Sequence, residues 1–126
     1  MNIFLWVLQI LLAAAFAAHG WLFLSPPTEL LAVMNTMLPT WFRLFLGVAE
    51  VAAAIGLTLP GITRIMPWLI ALASAGLMIV TVSASILHAT RGEIGSSVTT
   101  ALLFVVVSFV AYMRWKVKPI LPRTVA

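Results

Sequence analysis

Apolar residues run almost unbroken through four stretches, at about residues 3–24, 40–59, 67–88 and 95–115, and the intervening segments gather the prolines and several of the charges. A hydrocarbon layer about 30 Å thick takes about 20 residues of helix to cross, so each stretch is long enough to span a membrane. Pro26-Pro27, Pro39, Pro60-Gly61, Pro67 and Pro119 fall between or at the ends of these stretches, where a missing amide donor or a turn does least harm. The pattern predicts an all-α integral membrane four-helix bundle, a single transmembrane domain over residues 1–126.

One segment between the first two spans, about 26–38, is too short to cross. Its apolar residues Leu30, Leu31, Met34, Met37 and Leu38 fall on one helical face, with Glu29, Asn35 and Thr36 elsewhere. Ser25 is placed to cap it, Pro26 suits a first helical position and Glu29 a first turn. The reading is a short interfacial helix on the outer surface. Its two methionines suit either an adaptable lid or plain packing.

Composition turns the pattern into a statement about solvent. Of 126 residues 63% are apolar and 8% charged, with a mean hydropathy of +1.18, whereas soluble domains are about one quarter charged. A soluble globular protein is excluded, and lipid is the solvent. With no cysteine there is no disulfide framework, thiolate metal site or thiol relay. The net charge of +4 is too small and too scattered for nucleic acid. Its use is topological: with four spans, Arg64, Arg114, Lys116, Lys118 and Arg123 share one side with both termini, against Arg43 and Arg91 on the other. That bias puts both termini in the cytoplasm. Trp6, Trp68, Tyr112 and Trp115 then mark the inner interface, and Trp21 and Trp41 the outer one. The first span ends in small residues, as a cleavable signal would, but no Lys or Arg precedes it, so it is expected to be retained.

Ionisable groups in hydrocarbon are costly, so the residues that interrupt the apolar runs carry the information. They are His19, Arg43, Glu50 and His88, with Gln9, Thr81, Ser83, Ser85 and Ser108 as weaker polar neighbours. Arg43, Gly47 and Glu50 share one helical face, and Thr81, Ser85 and His88 repeat the spacing on the third span. Side chains lean toward their helix N-terminus, so His19 leans toward the midplane and Glu50 up to meet it. A hydrogen bond from Glu50 to His19 is therefore expected, with Thr81 as the second choice. Arg43 leans outward to the headgroups, at the level of His88, and is a poor direct partner for Glu50.

Each residue also has a plainer reading. Glu50 is either a binding group or a protonated latch between helices, Arg43 a site residue or a snorkelling anchor, and His19 and His88 site residues or structural polar groups. Metal ligation is disfavoured because the ligands lack short spacing. The small residues Ala49, Ala52, Ala53 and Gly56, with Ala71, Ser74, Ala75 and Gly76, are read as helix-packing faces.

At these positions the sequence resembles the DoxX-like family of small four-helix bacterial membrane proteins. The resemblance rests on Gly47-Val48-Ala49-Glu50, Gly56-Leu57-Thr58-Leu59-Pro60, and Ala84-Ser85-Ile86-Leu87-His88 followed by Arg91-Gly92-Glu93, and covers about residues 15–111. It implies a bundle whose recurrent polar positions are Glu50 and His88, in a bacterial inner membrane. It also implies a link to quinone-linked oxidoreductases, oxidative stress or detoxification, as a small subunit or anchor. Many relatives carry a lysine just after the glycine ending the first span, and those tied to thiol chemistry use cysteines; Trp21 to Leu24 supply no lysine and the chain has no cysteine.

The favoured function is an accessory or ligand-binding subunit, with Glu50, His19, His88, Arg43, Thr81 and Ser85 around a quinone or lipid headgroup in the outer half of the bundle. Its partners would be the bilayer, a lipophilic small molecule, and an oxidoreductase or a second copy of itself. The alternative is a proton-coupled small-molecule exporter using Glu50, against which the strong orientation bias counts. An enzyme with Glu50 and a histidine as acid and base ranks third, because no nucleophile, metal or cofactor motif is present.

Overall fold

The computed structural model describes residues 1–124, as five helices and a closing π-helical turn. Four helices are long and apolar enough to cross a membrane: α1 (Asn2–Leu24), α3 (Thr40–Thr63), α4 (Leu69–Thr90) and α5 (Ile94–Tyr112), the last extended by the π turn Met113–Val117. The short α2 (Thr28–Met37) lies between the first two spans. This is the all-helical arrangement expected from the apolar periodicity.

Two of the helix ends differ from expectation. Ser25 closes α1, its N–H bonded to the Trp21 carbonyl, and α2 starts after Pro27 instead of at Pro26. The reason is the double proline: Pro27 disfavours helical geometry at the residue before it. Pro60 was expected to close the second span, yet α3 runs through it to Thr63. Proline removes one amide, but in hydrocarbon no water satisfies the backbone groups that an early end would free, so continuing the helix leaves fewer of them unpaired.

α1 pairs with α3, α4 with α5, and α3 with α4. The α1–α3 register is marked from the outer end inward by glycines and polar contacts. A Cβ on Gly20 would lie 2.9 Å from the Gly47 carbonyl oxygen, and one on Gly47 would lie 2.9 Å from that of Gly20. Further in, the Gln9 side-chain amide donates to the Leu57 carbonyl at 2.6 Å, and at the inner end Trp6 packs against Gly61. Small residues permit such close backbone approach in lipid, where packing and interhelical hydrogen bonds drive association. Between α4 and α5 the hydroxyls of Ser85 and Ser97 each donate to the other's backbone carbonyl, at 2.9 and 2.8 Å.

The apolar core sits among Leu12, Phe16, Leu57, Ile70, Leu77 and Val107. Outward faces carry large apolar residues such as Ile10, Phe45, Ile79 and Leu102, as a lipid-facing surface should. The inner end is closed by Arg114, which is 5% exposed and donates to Gln9, Asn2 and the Lys118 carbonyl, with Trp6 beside its guanidinium. The charge count sets Arg114 with the other cations on this side of the bundle; it is buried because the Asn2 and Gln9 side chains offer acceptors that its fork can reach without leaving the bundle. The 120–123 segment folds back on the α3–α4 turn, where Arg64 donates to the Leu121 and Pro122 carbonyls and receives the Arg123 amide.

The glycine crossing yields a direct test. Gly47→Val should lower the thermal midpoint of the purified protein in detergent by several degrees or abolish expression of folded protein, since its Cβ meets backbone. Gly76→Ala, with nothing within 4 Å of its added Cβ, should melt like the parent.

Candidate functional site

The crossing at Gly20 and Gly47 places His19 and Glu50 on adjoining turns of α1 and α3. Their side chains meet as expected from their lean along the two helices, with His19 Nδ1 2.6 Å from Glu50 Oε2. The two partners sit in different surroundings: the Glu50 side chain is 3% exposed and that of His19 51%. His19 thus stands between a sealed carboxyl and the open side of the bundle, its ring 4.5 Å from that of Phe23.

Two turns outward on α3, Arg43 is not the snorkelling anchor of its plainer reading. It is buried, 5% exposed, and its Nη1 donates to the Phe23 carbonyl. The carbonyls of the last helical turn lack intrahelical partners, and Phe23 lies in the last turn of α1, so the guanidinium is drawn inward to a free acceptor. Its Nε is shielded and has no partner among the described residues. On α4, His88 Nδ1 lies 2.5 Å from Glu93 Oε2, across the turn in which Gly92 takes a positive φ of 73°.

Between these groups lies a cavity of about 690 Å³. Arg43, Glu50, His19, His88 and Thr81 all line it, so it brings together five of the six residues singled out in the sequence. The Thr81 hydroxyl donates to the Leu77 carbonyl of its own helix and not to Glu50. Ser85 is not in the wall, because its hydroxyl is turned to Ser97 on α5. The rest of the lining is mostly apolar, including Phe16, Phe42, Leu46 and Leu87. Met34 and Met37 of α2 and the adjoining Leu38 complete it, and the Arg91 guanidinium ties the end of α2 to the α4–α5 turn through the Met37 carbonyl at 3.2 Å. The apolar stripe read on this segment therefore divides, Met34 and Leu38 half-buried over the cavity and Leu30, Leu31 and Met37 exposed.

Sequence reasoning did not single out Gly20, Glu93 or Arg91 for these roles. A glycine directly after His19 was a signal for a close crossing at that depth, and an acid five residues past His88 across a glycine was a signal for a local pair. The Arg91 tether had none, since it joins residues far apart in sequence. Among the described residues no three His, Asp or Glu side chains come together as a metal site would require.

A model of the DoxX-like family matches residues 7–111, and the chain belongs to that family. No curated protein and no solved structure matches it.

The buried pair makes its two members unequal under mutation. His19→Leu leaves a buried carboxyl without its partner and should destabilise the protein by about 1–3 kcal/mol, read as a lower thermal midpoint. Glu50→Gln retains a hydrogen-bonding amide and should keep the bundle folded, with a midpoint near that of the parent. Equal midpoints for all three proteins would show that the 2.6 Å contact carries no stability.

Proposed function

We propose that this DoxX-like membrane protein binds a lipophilic small molecule, quinone-like or lipid-like, in the outer half of the bundle. In this reading it serves quinone-linked redox or detoxification chemistry as an accessory subunit and not as the catalyst. The observation that carries the reading is the cavity of about 690 Å³, apolar over most of its wall, into which Arg43, Glu50, His19 and His88 converge. Small-molecule sites have this form, about 300–1,000 Å³ of mainly apolar lining with a few polar groups that fix orientation. The polar groups would hold a headgroup, and the phenylalanine and leucine side chains the tail. α2 supplies a flexible cover, since its methionines adapt to different shapes.

The same proposal has the protein in a bacterial inner membrane with both termini cytoplasmic, and the five-to-two distribution of Lys and Arg supports that orientation. The burial of Arg43 and Arg114 leaves four cations on the inner side and Arg91 on the outer, so the bias survives. A cysteine substituted at Arg64 should then resist an impermeant maleimide applied to intact cells and react after permeabilisation. Labelling from outside would invert the topology.

Ligand binding is tested by what the purified chain carries. Organic extracts of the parent protein, read by mass spectrometry, should contain near-stoichiometric quinone or lipid. Glu50→Gln should lose it while remaining folded, and Ala84→Phe should displace it by filling the cavity wall from α4. The same content in all three proteins would rule out the cavity as the binding site.

Proton-coupled export is the second reading, favoured by the half-exposed His19 ring that connects the sealed Glu50 carboxyl to the open side. Drug-dependent proton flux in proteoliposomes that vanished in Glu50→Gln would put export in place of an accessory role.

A further inference from the structure

Resting on the ligand-binding reading above, we propose that the molecule taken by the outer cavity carries an anionic headgroup, a carboxylate or a phosphate, on an apolar tail, and that Arg43 receives that headgroup. The argument starts from a shortage of acids. The chain has three, against seven Lys and Arg. Glu50 is bonded to His19, Glu93 to His88, and Glu29 lies exposed on α2. Among the described residues the carboxylate contacts are both to histidine, and no arginine or lysine is ion-paired.

Arg43 feels that shortage most. It is 5% exposed, lines the cavity, and satisfies one donor on the Phe23 carbonyl. A guanidinium has five N–H donors in a rigid fork that matches carboxylate and phosphate geometry. The shielded Nε has no partner. Glu50 does not serve: it lies seven residues along the helix, a rise of about 10 Å, and its carboxyl is bonded to His19. A cation held in a low-dielectric wall without a counter-charge is costly, and an anion arriving in the cavity would relieve that cost.

Arg114, at the other end of the bundle, supplies the contrast. It is equally buried and its Nη2 also lacks a partner among the described residues, but three hydrogen bonds from Nε and Nη1 reach two side-chain amides and a carbonyl, and it does not line the outer cavity. Arg114 is therefore held by three acceptors from outside its own helix turn or at its end. Arg43 has one acceptor and an adjoining space.

The remainder of the cavity suits a tail that comes from the bilayer. Phe45 and Ile79 line it while being 60% and 68% exposed on the lipid-facing surface. The cavity thus opens sideways between α3 and α4, and a chain can run from Arg43 past Leu46 and Val80 into lipid. A soluble anion would leave that wall unused.

The test uses the purified full-length chain in non-ionic detergent and three radiolabelled probes of one chain length: palmitate, hexadecyl phosphate and hexadecanol. Palmitate, hexadecyl phosphate or both should bind at least about ten-fold more tightly than hexadecanol, the gain expected when a charge-assisted hydrogen bond replaces a neutral one. A preference confined to palmitate points to a free fatty acid, and one that includes hexadecyl phosphate to a phospholipid-derived ligand. Arg43→Gln should abolish the preference, so that acid and alcohol bind alike, and Arg43→Lys should keep part of it, since the charge remains but the fork is lost. Equal binding of the three probes to the parent protein would overturn the inference while leaving the cavity as a ligand site. A preference that survives Arg43→Gln would overturn the role of Arg43. Failure of all three probes to bind would count against the cavity reading itself. The comparison of probes on the parent protein needs no variant, so it stands even where Arg43→Gln fails to fold.

Discussion

The close crossing of α1 and α3 at Gly20 and Gly47 is the contact on which the rest of the molecule depends. In lipid the hydrophobic effect does not press helices together, so their separation is decided by side-chain bulk and by the hydrogen bonds they can share. With backbone meeting backbone there, the His19 ring reaches the Glu50 carboxyl at 2.6 Å. Were the helices pushed apart by even one methyl group on each side, Glu50 would be a lone carboxyl at the depth where ionisable groups cost most. The same register sets the Gln9 bond to the Leu57 carbonyl and seats Trp6 on Gly61. Fold and candidate site thus follow from one packing constraint.

That constraint also gives the bundle unequal ends. At the inner end α1 and α5 are joined by Arg114 and its amide partners and by Phe4 against Phe109. Toward the outer end the Ser85–Ser97 exchange holds α5 to α4, while Gly20 and Gly47 hold α1 to α3. The two pairs then enclose a hollow, and α2 crosses it with a tether at Arg91. The bundle thus has a mainly apolar hollow with a few polar groups toward one end and a hydrogen-bonded arginine network at the other.

The spans, the extra helix and the His19–Glu50 contact were legible in the sequence because each rests on local rules: apolar run length, helical periodicity and the lean of side chains along a helix. The errors came where a second helix decides. Snorkelling predicts an outward Arg43, but it takes no account of the free Phe23 carbonyl, which belongs to another helix. Thr81, Ser85 and His88 do share a face by spacing, yet the hydroxyl of Ser85 answers to Ser97, and nothing in the third span reveals how α5 packs on it. Pro60 was read by a rule for water, where a broken helix end can be solvated, and failed in a solvent that offers no hydrogen bonds.

The histidines explain why such a chain keeps so few acids. Each histidine takes up a glutamate, and neither glutamate is left to neutralise an arginine. The arginines inside the bundle must then find carbonyls and amides, which satisfy donors but do not cancel charge. Arg114 shares its donors among the Gln9 and Asn2 side chains and the Lys118 carbonyl. Arg43 lies in the wall of a cavity lined mainly by aromatic and aliphatic carbon, where screening is weak. The distribution of three acids over two histidines and one exposed helix therefore decides more about this site than the arginine's own position does: among the described residues it leaves a buried cation without a carboxylate partner in the wall of the outer cavity.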